Sequence, residues 1–172
     1  MANLKPIETR YNGYRFRSRL EARWAVFMDA LGIEYQYEPE GFDLGDGYYY
    51  LPDFYLPETK AWIEVKGDTP TKIDVEKMIR FAETKCDFLR DREKFRLLKG
   101  NIPDHLLEWD SSYGVPCYNF VSINESRYPC YDIFVARGIL YPAIWIPTQD
   151  EDAIWKALTK ARQARFEHGE CG

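Results

Sequence analysis

Residues 51–68, LPDFYLPETKAWIEVKGD, carry acidic residues within two short apolar segments that have the composition of β-strands. If residues 58–59 form a two-residue hairpin loop, Asp53 lies directly opposite Glu64 in an antiparallel pair. Side chains alternate along a strand, so Lys66 shares a face with Glu64. Glu-Thr is not a favoured hairpin turn, and a slip of one residue would separate the two carboxylates. The register of this hairpin therefore decides whether the chain has an acidic cluster.

Two carboxylates that face each other across neighbouring strands repel and destabilise the pair. A cation between Asp53 and Glu64 removes that conflict, and oxygen ligands favour Mg²⁺ or Mn²⁺. Such an ion keeps several waters and often binds a substrate phosphate. Lys66 would then orient the attacking water or hold a phosphate oxygen, because nearby carboxylates favour its charged form and argue against a general base. The spacing alone leaves open a surface cluster of salt bridges.

Residues 18–31 have the signals of an amphipathic helix. Ser18 is followed three residues later by Glu21, which is a capping box, and Gly32 supplies a stop. Apolar residues recur with helical spacing at positions 20, 24, 27 and 31. The capping box explains Glu21 without any chemistry, so a structural role and a role in a site are both open for it.

The same periodicities predict the other elements. They are a short basic strand at 14–17, strands at 33–44, 48–56 and 61–67, a helix at 71–85 and a strand at 94–100. The rest mixes loop signals with strands at 131–137 and 143–147 and a last helix at 150–167. This order predicts an α/β (α+β) fold with a mixed β-sheet flanked by helices, in a single domain of residues 1–172. The core, α-β-β-β-α-β, covers about residues 14–100, and residues 101–172 form a C-terminal extension.

Charge is distributed unevenly along the 172 residues. The net charge of −5 argues against a strongly adhesive, non-specific nucleic-acid binder. Residues 1–25, however, hold six basic and two acidic residues, and residues 156–168 hold four basic and one acidic. Contact with a polyanion is therefore expected only at these two segments, although a solvated basic helix face is the commoner interpretation of the second. Four scattered cysteines and two histidines lack zinc-ligand spacing and fit a reducing compartment.

The sequence Pro52-Asp53 … Glu64-Val65-Lys66 resembles the signature of the PD-(D/E)XK nuclease superfamily. The preceding segment FRSRLEARWAVF, with Glu21, resembles the helix that often supplies a further acidic residue in that superfamily. The predicted element order is similar to its restriction-endonuclease-like core. The combination resembles small phage-type and transposon-type endonucleases in particular. The resemblance covers about residues 14–100 and does not determine the substrate.

The resemblance implies a role for each matched residue. Asp53 and Glu64 would be metal ligands, together with the main-chain carbonyl of Val65. Lys66 would be the catalytic lysine. Glu21 would face the metal through water or bind it directly.

Near such a site, three arginines become candidate contacts to the phosphates of DNA: Arg15, Arg17 and Arg19. A solvated basic edge is the alternative interpretation of these charges. Tyr55 and Trp62 are expected to be packing residues, with base stacking as the alternative.

The expected function is a Mg²⁺- or Mn²⁺-dependent endonuclease that hydrolyses DNA phosphodiester bonds, with branched or structured DNA among its candidate substrates. A nucleic-acid-binding or assembly protein with a vestigial nuclease site and an RNA-directed nuclease are the alternatives. The N-terminal segment lacks the apolar region of a secretory signal, so a location in the cytoplasm of a bacterium or a phage-infected cell is expected. No membrane partner is expected. A homodimer would suit double-strand cleavage, which usually needs two sites.

Overall fold

The structure is a computed structural model. It describes residues 6–58, 60–85, 94–99, 101–102, 105–109, 117–121, 130–134, 139–142 and 151–166. In chain order, the elements are strands β1 (Thr9–Tyr11) and β2 (Tyr14–Phe16), helix α1 (Arg19–Ala30), strands β3 (Gln36–Tyr37), β4 (Phe42–Asp43), β5 (Tyr49–Tyr50), β6 (Phe54–Leu56) and β7 (Ala61–Lys66), helix α2 (Lys72–Lys85), strands β8 (Lys94–Lys99), β9 (His105–Trp109), β10 (Cys117–Val121), β11 (Cys130–Phe134) and β12 (Ile139–Pro142), and helix α3 (Glu151–Gln163).

A six-stranded sheet forms the centre of the fold, in the order β12-β11-β8-β7-β6-β3. Strands β7 and β8 are parallel, whereas the other neighbouring pairs are antiparallel. Helix α2 connects the two parallel strands, because a parallel pair needs a crossover connection. The predicted α/β class with a mixed sheet flanked by helices is therefore confirmed.

Two apolar clusters cover the central strands of this sheet. Ile63 and Val65 of β7 belong to a cluster with the buried faces of α1 and α3. Trp62 of the same strand belongs to a second cluster, which includes Met78 and Phe81 of α2. Successive side chains of a strand point to opposite faces, so α1 and α3 lie on one side of the sheet and α2 on the other.

The β6–β7 hairpin has the predicted register. Phe54 pairs with Ile63 and Tyr55 with Trp62. Trp62 is only 5% exposed and contacts the Tyr55 ring, with the centroids 4.5 Å apart, so its interpretation as a packing residue is confirmed.

The first two long strands of the prediction are wrong in extent. Residues 33–44 contain both β3 and β4, and residues 48–56 contain both β5 and β6. Strand β3 pairs with β6 in the large sheet, whereas β4 pairs only with β5 in a separate two-stranded ladder. The chain turns after β3 at Glu38, which has a φ of 43°, and Pro52 before β6 has no N–H to donate to a ladder. The β4–β5 ladder is thus an insertion, and the core order α1-β3-β6-β7-α2-β8 still matches α-β-β-β-α-β.

The outer elements agree less well with the prediction. Helices α1 and α2 match the predicted helices at 18–31 and 71–85 to within one residue at each end. Helix α3 is shorter than the predicted helix at 150–167. Strand β11 overlaps the predicted 131–137, and the predicted strand at 143–147 lies outside the described residues. Strands β1, β9, β10 and β12 were not predicted. Among the helices of the described ranges, none combines the length and apolar character needed to cross a membrane.

Phe81 tests the cluster between α2 and the sheet. It is fully buried and contacts the rings of Phe42, Tyr50 and Phe95. We expect Phe81→Ala to lower the free energy of unfolding by about 3–5 kcal/mol, because it removes a ring and leaves a cavity. Ile73→Ala is the matched control on the same helix, since Ile73 is 64% exposed, and it should change the free energy by less than about 0.5 kcal/mol in urea unfolding. Equal effects of the two changes would contradict this packing.

Candidate active site

Asp53 and Glu64 lie at the end of the β6–β7 hairpin, inside the protein. Extending the observed register by one residue places Asp53 opposite Glu64, and their exposed fractions are 7% and 4%. The Asp53 carboxylate oxygen Oδ2 accepts a hydrogen bond from the Val65 N–H at 2.7 Å. Its main-chain carbonyl accepts another from the Glu38 N–H at 2.8 Å. Asp53 is therefore held from both neighbouring strands.

Glu64 has a partner on each carboxylate oxygen. The buried Tyr50 hydroxyl donates to Oε2 at 2.6 Å, and the Lys66 Nζ lies 2.8 Å from Oε1. Tyr50 comes from β5, so the inserted β4–β5 ladder contributes directly to the position of Glu64. Such a bond fixes the orientation of the carboxylate and satisfies an oxygen that water cannot reach.

Lys66 lies between the acidic pair and helix α2. Its Nζ is 3.8 Å from Oδ1 of Asp74, in the first turn of α2, and its side chain is about one third exposed. The other oxygen of Asp74 accepts bonds from the N–H and hydroxyl of Thr71, at 2.9 and 2.6 Å. Asp74 is thus fixed by the helix start and presents one oxygen to Lys66.

Burial dominates the electrostatics of the acidic pair. It raises the pKa of Asp53 well above the ordinary value, and the charges of Glu64 and Glu21 raise it further, against the opposing effects of the Val65 N–H and Lys66. Burial also raises the pKa of Glu64, although Lys66 and Tyr50 oppose it. Negative charge in this cluster is therefore under-compensated.

The pKa of Lys66 is set by its acidic neighbours more than by its burial. Burial alone would lower the pKa of its ammonium group, but Glu64 and Asp74 outweigh burial and raise the pKa. Without further positive charge nearby, Lys66 is a cation and a hydrogen-bond donor and cannot accept a proton.

Glu21 is buried at the start of α1, where both of its oxygens already have partners. Oε1 accepts a hydrogen bond from the Ser18 hydroxyl at 2.6 Å. Oε2 accepts from the Tyr37 hydroxyl at 2.6 Å and from the Arg17 N–H at 3.1 Å. The Ser18 side chain caps the helix by accepting from the Glu21 N–H, so the predicted capping is confirmed. Glu21 also raises the pKa of Asp53 by its charge, so the structural role and proximity to the site coexist.

The three arginines at the N-terminal side differ in their contacts. Arg15 is paired with Glu8, and both side chains are mostly exposed. The Nε of Arg17 lies 2.7 Å from Oε1 of Glu38. Arg19 donates to the main-chain carbonyl of Phe166 at 3.3 Å. All three are exposed, but Arg15 and Arg17 already carry an acidic partner.

The donor set of this site fits a hard divalent cation only in part. Buried carboxylates with excess negative charge are the oxygen ligands that Mg²⁺ and Mn²⁺ prefer. Within the described ranges, however, no three or more His, Cys, Asp or Glu side chains gather into a group that could hold a metal ion. Glu21 is engaged elsewhere, which leaves Asp53 and Glu64 as the two side-chain candidates. Two carboxylates are sufficient for Mg²⁺, which usually keeps several waters.

Sequence reasoning missed Tyr50, Tyr37 and Asp74. A tyrosine bond to a carboxylate 14 or 16 residues away leaves no local pattern, so only the fold reveals the first two. Asp74 could have been found from the sequence, because a threonine followed three residues later by an acidic residue is typical of a helix N-terminus. In the structure, the Asp74 N–H donates to the Thr71 hydroxyl.

Comparisons with family models, with curated proteins and with solved structures gave no match to this chain. The interpretation of the site therefore depends on its own residues.

Asp53→Asn tests the electrostatic account of the site. Asparagine keeps an oxygen for the Val65 N–H but removes a buried charge that Glu64 and Glu21 oppose. We expect the metal-free variant to melt at or above the wild-type temperature at pH 8. Because the folded protein binds the Asp53 proton more tightly than the unfolded chain, wild-type stability should fall as pH rises above about 4, the ordinary aspartate pKa. In Asp53→Asn, the part of this pH dependence that comes from Asp53 should be absent.

Asp68→Asn is the control for this measurement, since Asp68 is exposed and the change in charge is the same. Thermal melts in a chelator between pH 5 and pH 8 give the comparison. A variant Asp53→Asn that melts several degrees below the wild type at pH 8 contradicts the account.

Proposed function

We propose that the chain is a metal-dependent nuclease with a restriction-endonuclease-like core, which hydrolyses phosphodiester bonds of DNA. The observation that carries the proposal is the buried pair Asp53 and Glu64, joined at one end of a hairpin to Lys66. A chain under selection for stability alone avoids two buried carboxylates with one ammonium group, because unpaired buried charge is costly. Buried carboxyl groups with raised pKa values concentrate at functional sites.

In this proposal, Asp53, Glu64 and the Val65 carbonyl hold a Mg²⁺ or Mn²⁺ ion. The ion, when bound, supplies positive charge to a phosphoryl oxygen and lowers the pKa of its water. Lys66 orients the attacking water or holds a phosphate oxygen. Its ammonium group now contacts Glu64, and it must give up part of that contact to reach the water or the phosphate. Glu21 acts through its charge and through water, because its own oxygens are bound to Ser18 and Tyr37.

The topology supports the proposal independently of the motif. Two antiparallel strands carry the acidic pair, and the second of them, β7, continues through α2 into a parallel strand. The element order around the pair is helix, three strands, helix, strand, which is the order that the resemblance implies. The ladder β4–β5 is an insertion into that core.

A nucleic-acid-binding protein with a vestigial site is the second candidate. The observation that favours it is the state of Glu64, since Tyr50 and Lys66 satisfy both of its oxygens without a metal. Calorimetric titration with Mg²⁺ and Mn²⁺ separates the candidates. An active site binds metal and loses that binding in Asp53→Asn, whereas a vestigial site gives no heat with either protein.

Cleavage itself is tested on a panel of nucleic acids. Purified protein is incubated with linear, nicked, single-stranded and four-way-junction DNA and with RNA, each with Mg²⁺, with Mn²⁺ and with chelator. We expect cleavage of DNA that depends on metal, and loss of cleavage in Asp53→Asn and Lys66→Ala with the fold retained. Cleavage of RNA alone identifies an RNA-directed nuclease, and no metal-dependent cleavage of any substrate refutes the proposal.

Tyr50→Phe tests how Glu64 is held for metal binding. The change removes only the hydroxyl that donates to Oε2, so Glu64 keeps Lys66 but loses its fixed orientation. Partners that orient a metal ligand typically contribute 10- to 100-fold in affinity, and we expect about a tenfold loss of Mn²⁺ affinity by calorimetry. Tyr49→Phe is the matched control, because Tyr49 is the adjacent residue and is 67% exposed. An unchanged affinity in Tyr50→Phe would show that Glu64 does not depend on this bond.

A further inference from the structure

The two basic segments of the chain meet in the fold. Helix α3 packs against α1, and the bond from Arg19 to the Phe166 carbonyl ties the end of the C-terminal segment to the start of α1. Phe166 is buried and also contacts the Tyr11 ring edge to face. Arg165 precedes Phe166 directly, so it is brought next to α1.

Arg23 lies one helical turn after Arg19 on the same side of α1. Its guanidinium is partly buried, and its Nε has no hydrogen-bond partner within the part of the chain that the structure describes. Burial lowers the pKa of Arg23, and the charges of Arg19 and Arg165 lower it further. The three guanidinium groups are therefore close enough to repel one another.

Among the described residues, none of these three arginines forms an ion pair with a carboxylate. The ion pairs found there involve other basic residues, namely Arg15, Arg17, Lys66 and Arg80. A cluster of like charges costs free energy. A bound anion with several oxygens would relieve this cost, because guanidinium groups match the geometry of phosphate.

We propose that Arg19, Arg23 and Arg165 form a phosphate-binding site, which takes a backbone phosphate of the nucleic acid. The anion site stands on its own geometry, whereas the identity of its ligand rests on the proposed function. Arg19 was already a candidate contact from the sequence, and Arg23 and Arg165 are new. Arg15 and Arg17 are ion-paired, whereas the described residues give no carboxylate partner to Arg19, Arg23 or Arg165.

The cluster and the acidic pair contact different phosphates. Arg19 and Arg23 are each two residues from Glu21, which places them roughly 160° around the helix from it at 3.6 residues per turn. The separation is about one helix diameter, roughly 10–12 Å. A phosphate bound by the cluster therefore lies on the side of α1 away from Glu21 and is a different phosphate from the one that reacts. The site contributes to binding of long substrates and leaves the chemical step unchanged.

The first experiment detects the anion directly. The Nε–H signal of Arg23 is followed by ¹⁵N-correlated NMR of the wild-type protein while inorganic phosphate is added, and Arg23→Lys identifies the signal by its loss. We expect a saturable shift of this signal. A signal that does not move at phosphate concentrations that saturate the protein's other shifts, or that moves only with ionic strength, overturns the site.

The second experiment measures binding of a duplex of two helical turns by fluorescence anisotropy, in chelator, over a range of salt. We expect the double variant Arg23→Gln/Arg165→Gln to bind about tenfold more weakly or worse, because charged hydrogen bonds are lost. The slope of log Kd against log salt should fall by about 0.9 for each phosphate contact removed. Arg80→Gln removes one unit of charge, against two in the double variant, from an arginine that Asp46 and Glu76 already neutralise, and it should leave both quantities unchanged.

Two further measurements separate a binding role from a structural one. Without ligand, Arg23→Gln should melt no lower than the wild type, because it removes a charge that its neighbours repel. If Arg23 had a structural role instead, the variant would melt at a lower temperature. In steady-state cleavage, the double variant should raise KM for the duplex with kcat unchanged, and should have no effect on a dinucleotide that cannot span the two sites. If Arg23→Gln does not fold, Arg165→Gln alone decides, because Arg165 is exposed.

The outcomes distinguish this inference from the proposed function. Wild-type cleavage together with unchanged Kd and salt slope in the double variant overturns the phosphate site and leaves the nuclease standing. A phosphate-dependent shift of Arg23 without cleavage of any nucleic acid refutes the nuclease and supports the anion site.

Discussion

The antiparallel pairing of β6 with β7 is the constraint on which the rest of the structure depends. Its register determines that Ile63 and Val65 face α1 while Trp62, Glu64 and Lys66 face α2. A shift by one residue would place Glu64 and Lys66 in the apolar cluster of α1, and Ile63 and Val65 on the side of α2. The same pairing therefore builds the core and assembles the acidic pair, and neither can change alone.

Two tyrosines connect the apolar clusters to the carboxylates of Glu21 and Glu64. Tyr37 and Tyr50 have ring faces in the two apolar clusters and hydroxyls on Glu21 and Glu64. Burial raises the pKa of both phenols, so both remain donors throughout the physiological range. Each carboxylate is thus oriented by a residue whose position is set by packing, which is how a polar cluster is kept in place inside an apolar one.

Local sequence signals predicted the parts of the fold that depend on local interactions. The Ser18 cap, the helical spacing of α1 and the Asp53–Glu64 register needed only neighbouring residues, and each is present. The break between β3 and β4 was not predicted, because it depends on Glu38 adopting a positive φ that glutamate seldom shows. The hydroxyl partners of the carboxylates and the junction of Arg19 with Phe166 join residues that are distant in sequence, and no periodicity encodes them.

The packing of α3 on α1 also has a consequence for how the chain is made. Ile154, Ala157 and Leu158 of α3 complete the cluster that contains Ala22, Ala25 and Val26 of α1, yet more than a hundred residues separate the two helices. At roughly 5–20 residues per second, a ribosome needs several seconds or longer to deliver α3 after α1 has emerged. During that interval the apolar side of α1 has no covering helix, and nascent chains are most exposed to misassembly there. Until α3 packs, this apolar surface of α1 is open to association with neighbouring nascent chains on the same polysome.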